Sequence, residues 1–198
     1  MPASTAAAPS TVDQPAVAAA VAAGGTVWLT GLPSAGKSTV ACAVADLMRA
    51  RGRRVEVLDG DAVRETLCAD LGFSRADRDT NVARIGYVAA LLARHGVLVL
   101  AAVISPYAGA RDAVRARHDA EVLPFLEVHV ATAVHECAAR DAKGLYARAY
   151  AGQIRGLTGV DDAYEPPPAP QLRLDTAGVP VAESAAAVLD LLEREGLA

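Results

Sequence analysis

Apolar positions along the chain follow two alternating patterns. Short apolar runs recur at 26–30 (TVWLT), 54–58, 97–104 (VLVLAAVI), 125–131 and 171–174. They are too short for helices, and the continuously apolar run 97–104 has the character of a strand buried on both faces. Between the runs, apolar residues fall at helical spacing. Val40, Val44, Leu47 and Met48 form one stripe within 38–51, and Val82, Ile85, Ala89 and Leu92 form another within 77–95. Shorter helices are predicted over 63–71 and 134–140. A last helix carries Val181, Ala185, Val188, Leu189 and Leu192. Gly52, Gly72 and Gly96 close three of these helices, as C-terminal glycines do. Ser105-Pro106 suits an N-cap and first helical position, opening a helix toward His118.

Strands alternating with helices predict an α/β fold with a parallel sheet of about five strands. In such sheets ligands bind beyond the carboxyl ends of strands, near the point where strand order reverses. No internal repeat is present, and one domain is expected over 25–198. Residues 1–24, rich in Ala, Pro, Ser and Thr, are expected to form a flexible arm with one Ala-rich helical turn set near 17–21. They lack a basic start and a sustained apolar stretch, so no signal peptide is expected. Residues 142–170 break the rhythm with four glycines, a proline cluster and no sustained period. So long an irregular stretch inside a compact domain is usually functional, and a lid is the expected use.

Composition narrows the function. The chain has 198 residues, 53% of them hydrophobic and 21% charged, with a net charge of −4. That argues against general binding to nucleic acid or to a membrane surface, and no apolar stretch approaches the ~20 residues that span a bilayer. Three dispersed cysteines, Cys42, Cys68 and Cys137, are expected to be free thiols in a reducing cytoplasm. The four histidines show no metal-ligand spacing, and Trp28 on the first strand is expected in the core. Of 19 basic residues only Lys37 and Lys143 are lysines. Where lysine survives in so arginine-rich a chain, a compact point charge is needed that a planar guanidinium does not supply.

One of the two lysines stands in a motif. Gly31-Leu-Pro-Ser-Ala-Gly36-Lys37-Ser38 fits G-x-x-x-x-G-K-[ST], after a strand and opening a helix. In that setting Gly31, Ser34, Ala35, Gly36 and Thr39 belong to a loop whose backbone N–H groups wrap phosphates at a helix N-terminus. Lys37 would neutralise the β- and γ-phosphates of ATP, and Ser38 would hold Mg²⁺. The loop identifies a P-loop NTPase-type fold. No N-K-x-D guanine motif accompanies it.

A second cluster follows strand two in VLDGDAVRETL, where Asp59 and Asp61 precede Arg64. If strand two lies beside the phosphate loop, both carboxylates face the nucleotide. One could then orient an acceptor hydroxyl and take its proton, while Arg64 binds an anionic acceptor. Asp61 could instead be a helix N-cap. The residues by themselves reach a small-molecule kinase with an anionic acceptor.

Five segments in order carry a resemblance: GLPSAGKST, DGDAVRETLCADLGFSRADRDTNVARIG, ISPYAGAR, RDAKGLY and LTGVDDAYEPP. Together they resemble the adenylylsulfate (APS) kinases, which move the γ-phosphate of ATP to the 3′-hydroxyl of APS, giving PAPS and ADP in sulfate activation. The resemblance runs from about residue 26 to residue 174. It implies Asp61 at the acceptor hydroxyl and Asp59 near the metal through water. It implies Arg64, Arg78 and Asn81 gripping APS, Phe73 stacked on its adenine, and Ile104 and Ser105 lining its pocket. Lys143, Gly144 and Leu145 would close with the lid over the phosphates, and Arg140 would lie near the ATP adenine. It also implies a homodimer and a functional link to an ATP sulfurylase. Five positions depart from the family pattern: Thr80 for Glu, Ala83 for Arg, Tyr87 for Glu, Val103 for Phe, and Leu157 for the second aromatic over the APS adenine. Two other functions stay open. One is a kinase for another adenylylated or nucleotide-like anion. The other is a non-catalytic nucleotide sensor, against which Lys37, Ser38 and Asp61 all count.

Overall fold

The structure, a computed structural model, describes residues 23–198. The expected arm lies outside the described residues apart from Ala23 and Gly24, and so does its helical turn. Five parallel strands form one sheet in the order β2-β3-β1-β4-β5: β1 (Gly25–Thr30), β2 (Val55–Asp59), β3 (Leu98–Ala102), β4 (Phe125–Val130) and β5 (Leu172–Leu174). All residues of β1 and β3 are buried, as their unbroken apolar runs require. Helices cover the sheet: α1 (Lys37–Ala50), α2 (Gly60–Glu65), α3 (Arg75–Arg94), α4 (Ala108–Ala120), α5 (Val134–Arg140), α6 (Leu145–Tyr150) and α7 (Val181–Arg194).

Two apolar clusters hold the layers together. The larger joins Val40, Val44 and Met48 of α1 and Val188 and Leu192 of α7 to Val27, Leu100 and Val128 of the strands. The smaller centres on Trp28, Ile85 and Val114, between the opposite sheet face and α3 and α4. Gly86 permits that contact, because a Cβ there would meet Val114 Cγ2 at 2.5 Å. All three cysteines are free thiols, two of them buried.

Several expectations change. The helix predicted over 63–71 is the six-residue α2, which starts earlier at Gly60. Residues 142–170 contain a short helix, α6, whose six residues are too few to show a period. Ser105 and Pro106 do not open α4: its N-cap is Tyr107 and its first residue Ala108. Ser105 has φ 40°, in the left-handed region, and its Oγ accepts from Trp28 Nε1 at 3.0 Å. The free N–H of Ala108 is met by Glu165 Oε2 at 2.7 Å, a cap supplied from 57 residues along the chain. Strand two does lie beside the phosphate loop as expected, with Ser38 donating to Asp59 Oδ2, although β3 stands between β2 and β1 in the sheet.

Candidate active site

The strand register sets the floor of the site. Ala102 pairs with Leu29 on one side and Asp59 on the other, so β1, β3 and β2 end level with one another. The chain leaves β1 through the glycine loop. Gly31 has φ 151°, and a Cβ on it would come within 2.3 Å of Val130 O, so no other residue fits. Ala35 is fully buried, and its carbonyl accepts from Thr176 Oγ1 at 2.8 Å and Thr132 Oγ1 at 3.2 Å. The loop then enters α1 at Gly36, which has φ 98°.

Lys37 sits in the first turn of α1 and is 8% exposed. Its Nζ reaches back to donate to Leu32 O at 2.7 Å and Gly31 O at 3.0 Å. Burial pulls its pKa down to about 8, with Lys143 lowering it further and Cys137 and Asp59 opposing. An ammonium poised in this way is stabilised by an arriving phosphate. Ser38 donates to Asp59 Oδ2, and Asp59 Oδ1 accepts from the N–H of Asp61 at 2.9 Å. Asp59, and not Asp61, is therefore the N-cap of α2. Asp61 is left exposed, and its carboxylate pairs with Lys143 Nζ. Both lysines of the chain thus line one cavity of about 990 Å³.

Of the expected phosphate-side residues, Ser34, Gly36, Lys37, Ser38, Thr39 and Arg140 reach the cavity wall, as do Asp59 and Asp61. Gly31, Ala35 and Gly144 do not: the first two are buried behind the loop, and Gly144 is the left-handed N-cap of α6. The exposed Arg140 donates to Thr176 O at 2.7 Å and Thr176 Oγ1 at 2.8 Å. That contact brings in Thr176, Val179, Val181 and Ser184, which line the cavity and were not singled out from the sequence. Thr176 lies just past the carboxyl end of β5, and that position was a signal available in advance.

The other end of the cavity is built from side chains. Phe73 is 67% exposed, and the Arg64 guanidinium lies 4.5 Å from its ring centroid. Burial lowers the pKa of Arg64, with the neighbouring Arg78 adding to the effect. Arg78, itself buried, donates to Phe73 O at 2.9 Å, Thr158 Oγ1 at 2.9 Å and Gly156 O at 2.6 Å. It ties the Phe73 turn to the segment that brings Leu157 and Thr158 to the same cavity. Leu157 is 8% exposed and packs into the larger core. Asn81 follows Arg78 on the same face of α3, and its buried Oδ1 has no hydrogen-bond partner. A buried acceptor left unpaired is costly, so it is a ready contact for a ligand donor. Ile104 and Ser105 complete this end, with Leu145 and Lys143 above. Thr158, Arg148 and Arg155 also line it and were missed, because no motif spacing marks them.

The oxygen donors at Ser38 and Asp59 suit a small hard cation carried with a nucleotide. Among the described residues no cluster of three His, Cys, Asp or Glu could hold a metal alone.

Comparison with known proteins fits this arrangement. The family described as Adenylylsulphate kinase matches residues 23–175. The adenylyl-sulfate kinase of Synechococcus sp. (strain JA-3-3Ab) is 50% identical over 173 residues, 87% of this chain and 96% of that protein. The Mycobacterium tuberculosis APS kinase CysC, solved in complex with AMPPNP and APS, superposes with a TM-score of 0.84 at 47% identity, over 86% of this chain and 98% of that one. A hexameric APS kinase from Thiobacillus denitrificans gives 0.67 at 40% identity, over 89% of this chain and 30% of its own length. With the phosphate loop, Asp59, Asp61, Arg64 and Arg78 in one cavity, a family match over 23–175 and 50% identity over 173 residues to such an enzyme, the chain belongs to the adenylylsulphate kinase family.

Proposed function

We propose that the chain transfers the γ-phosphate of ATP to the 3′-hydroxyl of APS, giving PAPS and ADP. The observation that carries this reading is the two-ended cavity spanned by α2. Its N-cap Asp59 contacts Ser38 at the phosphate loop, its Arg64 lies over Phe73, and Asp61 stands between them. Relatives with these names and a relative solved with AMPPNP and APS support it.

In this reading the loop amides, Gly36, Lys37, Ser38 and Thr39 hold the ATP phosphates, and Arg140 flanks the adenine with the wall around Thr176. Phe73 and Leu157 cover the APS adenine. Arg64, Arg78, Asn81, Ile104 and Ser105 place the rest of the acceptor. Asp61 takes the proton of the 3′-hydroxyl as its oxygen bonds to the γ-phosphorus. The bond from that phosphorus to the β–γ bridging oxygen breaks, and ADP leaves. Lys143 moves from Asp61 to the transferring phosphate as the stretch around it closes, with Gly144 and Leu145 following. Closure excludes water and so favours transfer over hydrolysis. Mg²⁺ is the expected metal. Ser38 would hold it directly and Asp59 through water, and when bound it neutralises charge on the β- and γ-phosphate oxygens.

A cytoplasmic enzyme is part of the proposal; among the described residues no helix is long and apolar enough to cross a membrane. So are a homodimer and a supply of APS from an ATP sulfurylase. The test is PAPS formation from Mg-ATP and APS by the wild type and by Asp61→Asn. The expected result is a rate lower by about 10²–10⁴ in the variant with its melting temperature kept, the range for a positioned general base. Near-normal turnover in Asp61→Asn would remove Asp61 from the chemistry.

A further inference from the structure

Two stretches of 142–170 are held in different ways. In 147–155 the hydrogen bonds close locally. Arg148 N donates to Gly144 O, Ala151 N to Ala147 O, Gln153 N to Arg148 O, and Ala147 N to Asp141 Oδ2. In 157–165 local bonds, such as Asp162 N to Leu157 O, are joined by partners from distant elements. Thr158 Oγ1 accepts from Arg78 of α3, and the Asp162 carboxylate accepts from the Tyr107 hydroxyl at 3.1 Å. The Tyr164 hydroxyl meets Thr30 Oγ1 at 3.0 Å, and its ring stacks on His129 of β4. Glu165 is held three times at the start of α4. Its N–H donates to Pro106 O at 2.8 Å, its Oε2 caps Ala108, and its carbonyl accepts from Arg111 Nη2 at 2.7 Å.

Arg111 makes one of these ties and joins it to the loop at Ser105. It is 2% exposed and forms no part of the cavity wall. Its Nε donates to Glu127 Oε1 at 2.8 Å, fixing the guanidinium on β4. From there Nη1 donates to Ser105 O at 2.8 Å and Nη2 to Glu165 O. A planar guanidinium reaches three separated acceptors from three nitrogens in a fixed plane, whereas the three donors of an ammonium all radiate from one nitrogen. A buried ion pair contributes little net stability compared with apolar packing. What it does supply is geometry: the loop that brings Ser105 to the cavity and the segment that brings Leu157 and Thr158 are tied to one group.

We propose that Arg111 is a positioning residue for the acceptor. Anchored on Glu127, it holds the Ser105 and Glu165 carbonyls together, so that 157–165 is a fixed wall of the acceptor subsite. Closure over the substrates is then left to 141–156. The inference rests on APS binding at the Phe73 end, as proposed above.

The test uses Arg111→Lys, which keeps a cation beside Glu127 but cannot span both carbonyls. Tyr107→Phe is the second variant, since it loosens the same segment by removing only the bond to Asp162. Two readouts are taken: KM for APS and for ATP with kcat, and amide hydrogen exchange of 147–155 and 157–165 without ligands. The expected result for Arg111→Lys is a KM for APS raised about tenfold, with kcat and KM for ATP within about twofold. Tyr107→Phe should give about a threefold rise in the same constant. In the wild type 157–165 should exchange more slowly than 147–155, and the Glu165 amide should speed up in Arg111→Lys. A fall in kcat with both KM values unchanged would mean a merely structural role and would overturn the proposal. So would equal exchange in the two stretches of the wild type. Should Arg111→Lys not fold, Tyr107→Phe and the wild-type exchange decide alone. A wild type that forms no PAPS would overturn the proposed function and the acceptor role with it. The exchange data would still judge whether 157–165 is fixed.

Discussion

The two ends of the cavity are made of different material. The phosphate end centres on backbone from one continuous stretch, 31–39, whose shape is set by Gly31, Gly36 and the start of α1, with Arg140 and Thr176 at its flank. The acceptor end is mostly side chain, gathered from Phe73, Arg78, Ser105 and Leu157 on four separate segments. A loop of backbone amides needs little support once its torsions are fixed. An assembly of side chains must be braced, and here Arg78 and Arg111 act as the braces. The contrast predicts that changes at the phosphate end abolish turnover, whereas changes at the acceptor end move affinity for one substrate.

The sharpest break should come at Lys37. Lys37→Ala removes the only cation of the loop, and kcat for PAPS formation should fall by at least about 10³-fold. A smaller loss would mean that the charge is supplied elsewhere, with Lys143 the nearest candidate. At the acceptor end, Phe73→Ala should raise KM for APS by about 5- to 150-fold, the equivalent of ~1–3 kcal/mol of base stacking. KM for ATP should stay within about twofold, and the melting temperature should barely change because Phe73 is so exposed. Leu157→Phe runs the other way. It restores an aromatic opposite Phe73 and should lower KM for APS about fivefold. Because Leu157 also packs in the core, it should cost about 1–3 kcal/mol of stability, read by denaturant melts. A lower melting midpoint without tighter APS binding would show that Leu157 serves the core and not the base.

Smaller effects concern pH. In the free protein Lys37 loses its proton near pH 8, and bound phosphates favour the charged form. ATP binding should therefore take up a proton and weaken as pH rises past about 8. Calorimetry in two buffers of different ionisation enthalpy measures this, and no uptake at about pH 9 would contradict the burial of Lys37. Burial also holds His118 below its usual pKa and His129 down to about 4, the latter helped by Arg173 and Arg111. A folded pKa below the unfolded value of about 6.5 means that the unfolded chain binds protons first. These two groups stabilise the fold above about pH 6.5, and that contribution is lost as pH falls below it, for His129 down to about 4. His129→Phe keeps the stack on Tyr164, so its melting temperature should fall less than the wild type's between about pH 7.5 and 5.5, by about 2 °C or more. Equal falls would show that His129 does not drive the acid loss.

The same contrast explains what could be read in advance. The sheet, the longer helices and the phosphate loop depend on local order, and each was legible as a run, a stripe or a spaced glycine. The composition also gave a true signal, since both lysines stand in the cavity. Choices made by tertiary contact were not legible. Ser105 looks like a cap beside Pro106, yet Trp28 takes its hydroxyl and Arg111 its carbonyl, and Glu165 caps α4 instead. Asp59 and Asp61 both stand within a cap's reach of α2, and spacing does not say that Asp59 takes the role and leaves Asp61 to pair with Lys143. The wall around Thr176 lies more than a hundred residues from the loop it faces, joined through the Ala35 carbonyl. At the acceptor end, the resemblance supplied what periodicity could not.

The most direct measurement is the ratio of PAPS to ADP formed by the wild-type chain from Mg-ATP and APS. If the cavity joins a phosphate end to an APS end, the two products should appear one for one, and ADP formation should fall to a trace when APS is left out. ADP released without PAPS, at the same rate with and without APS, would contradict the account.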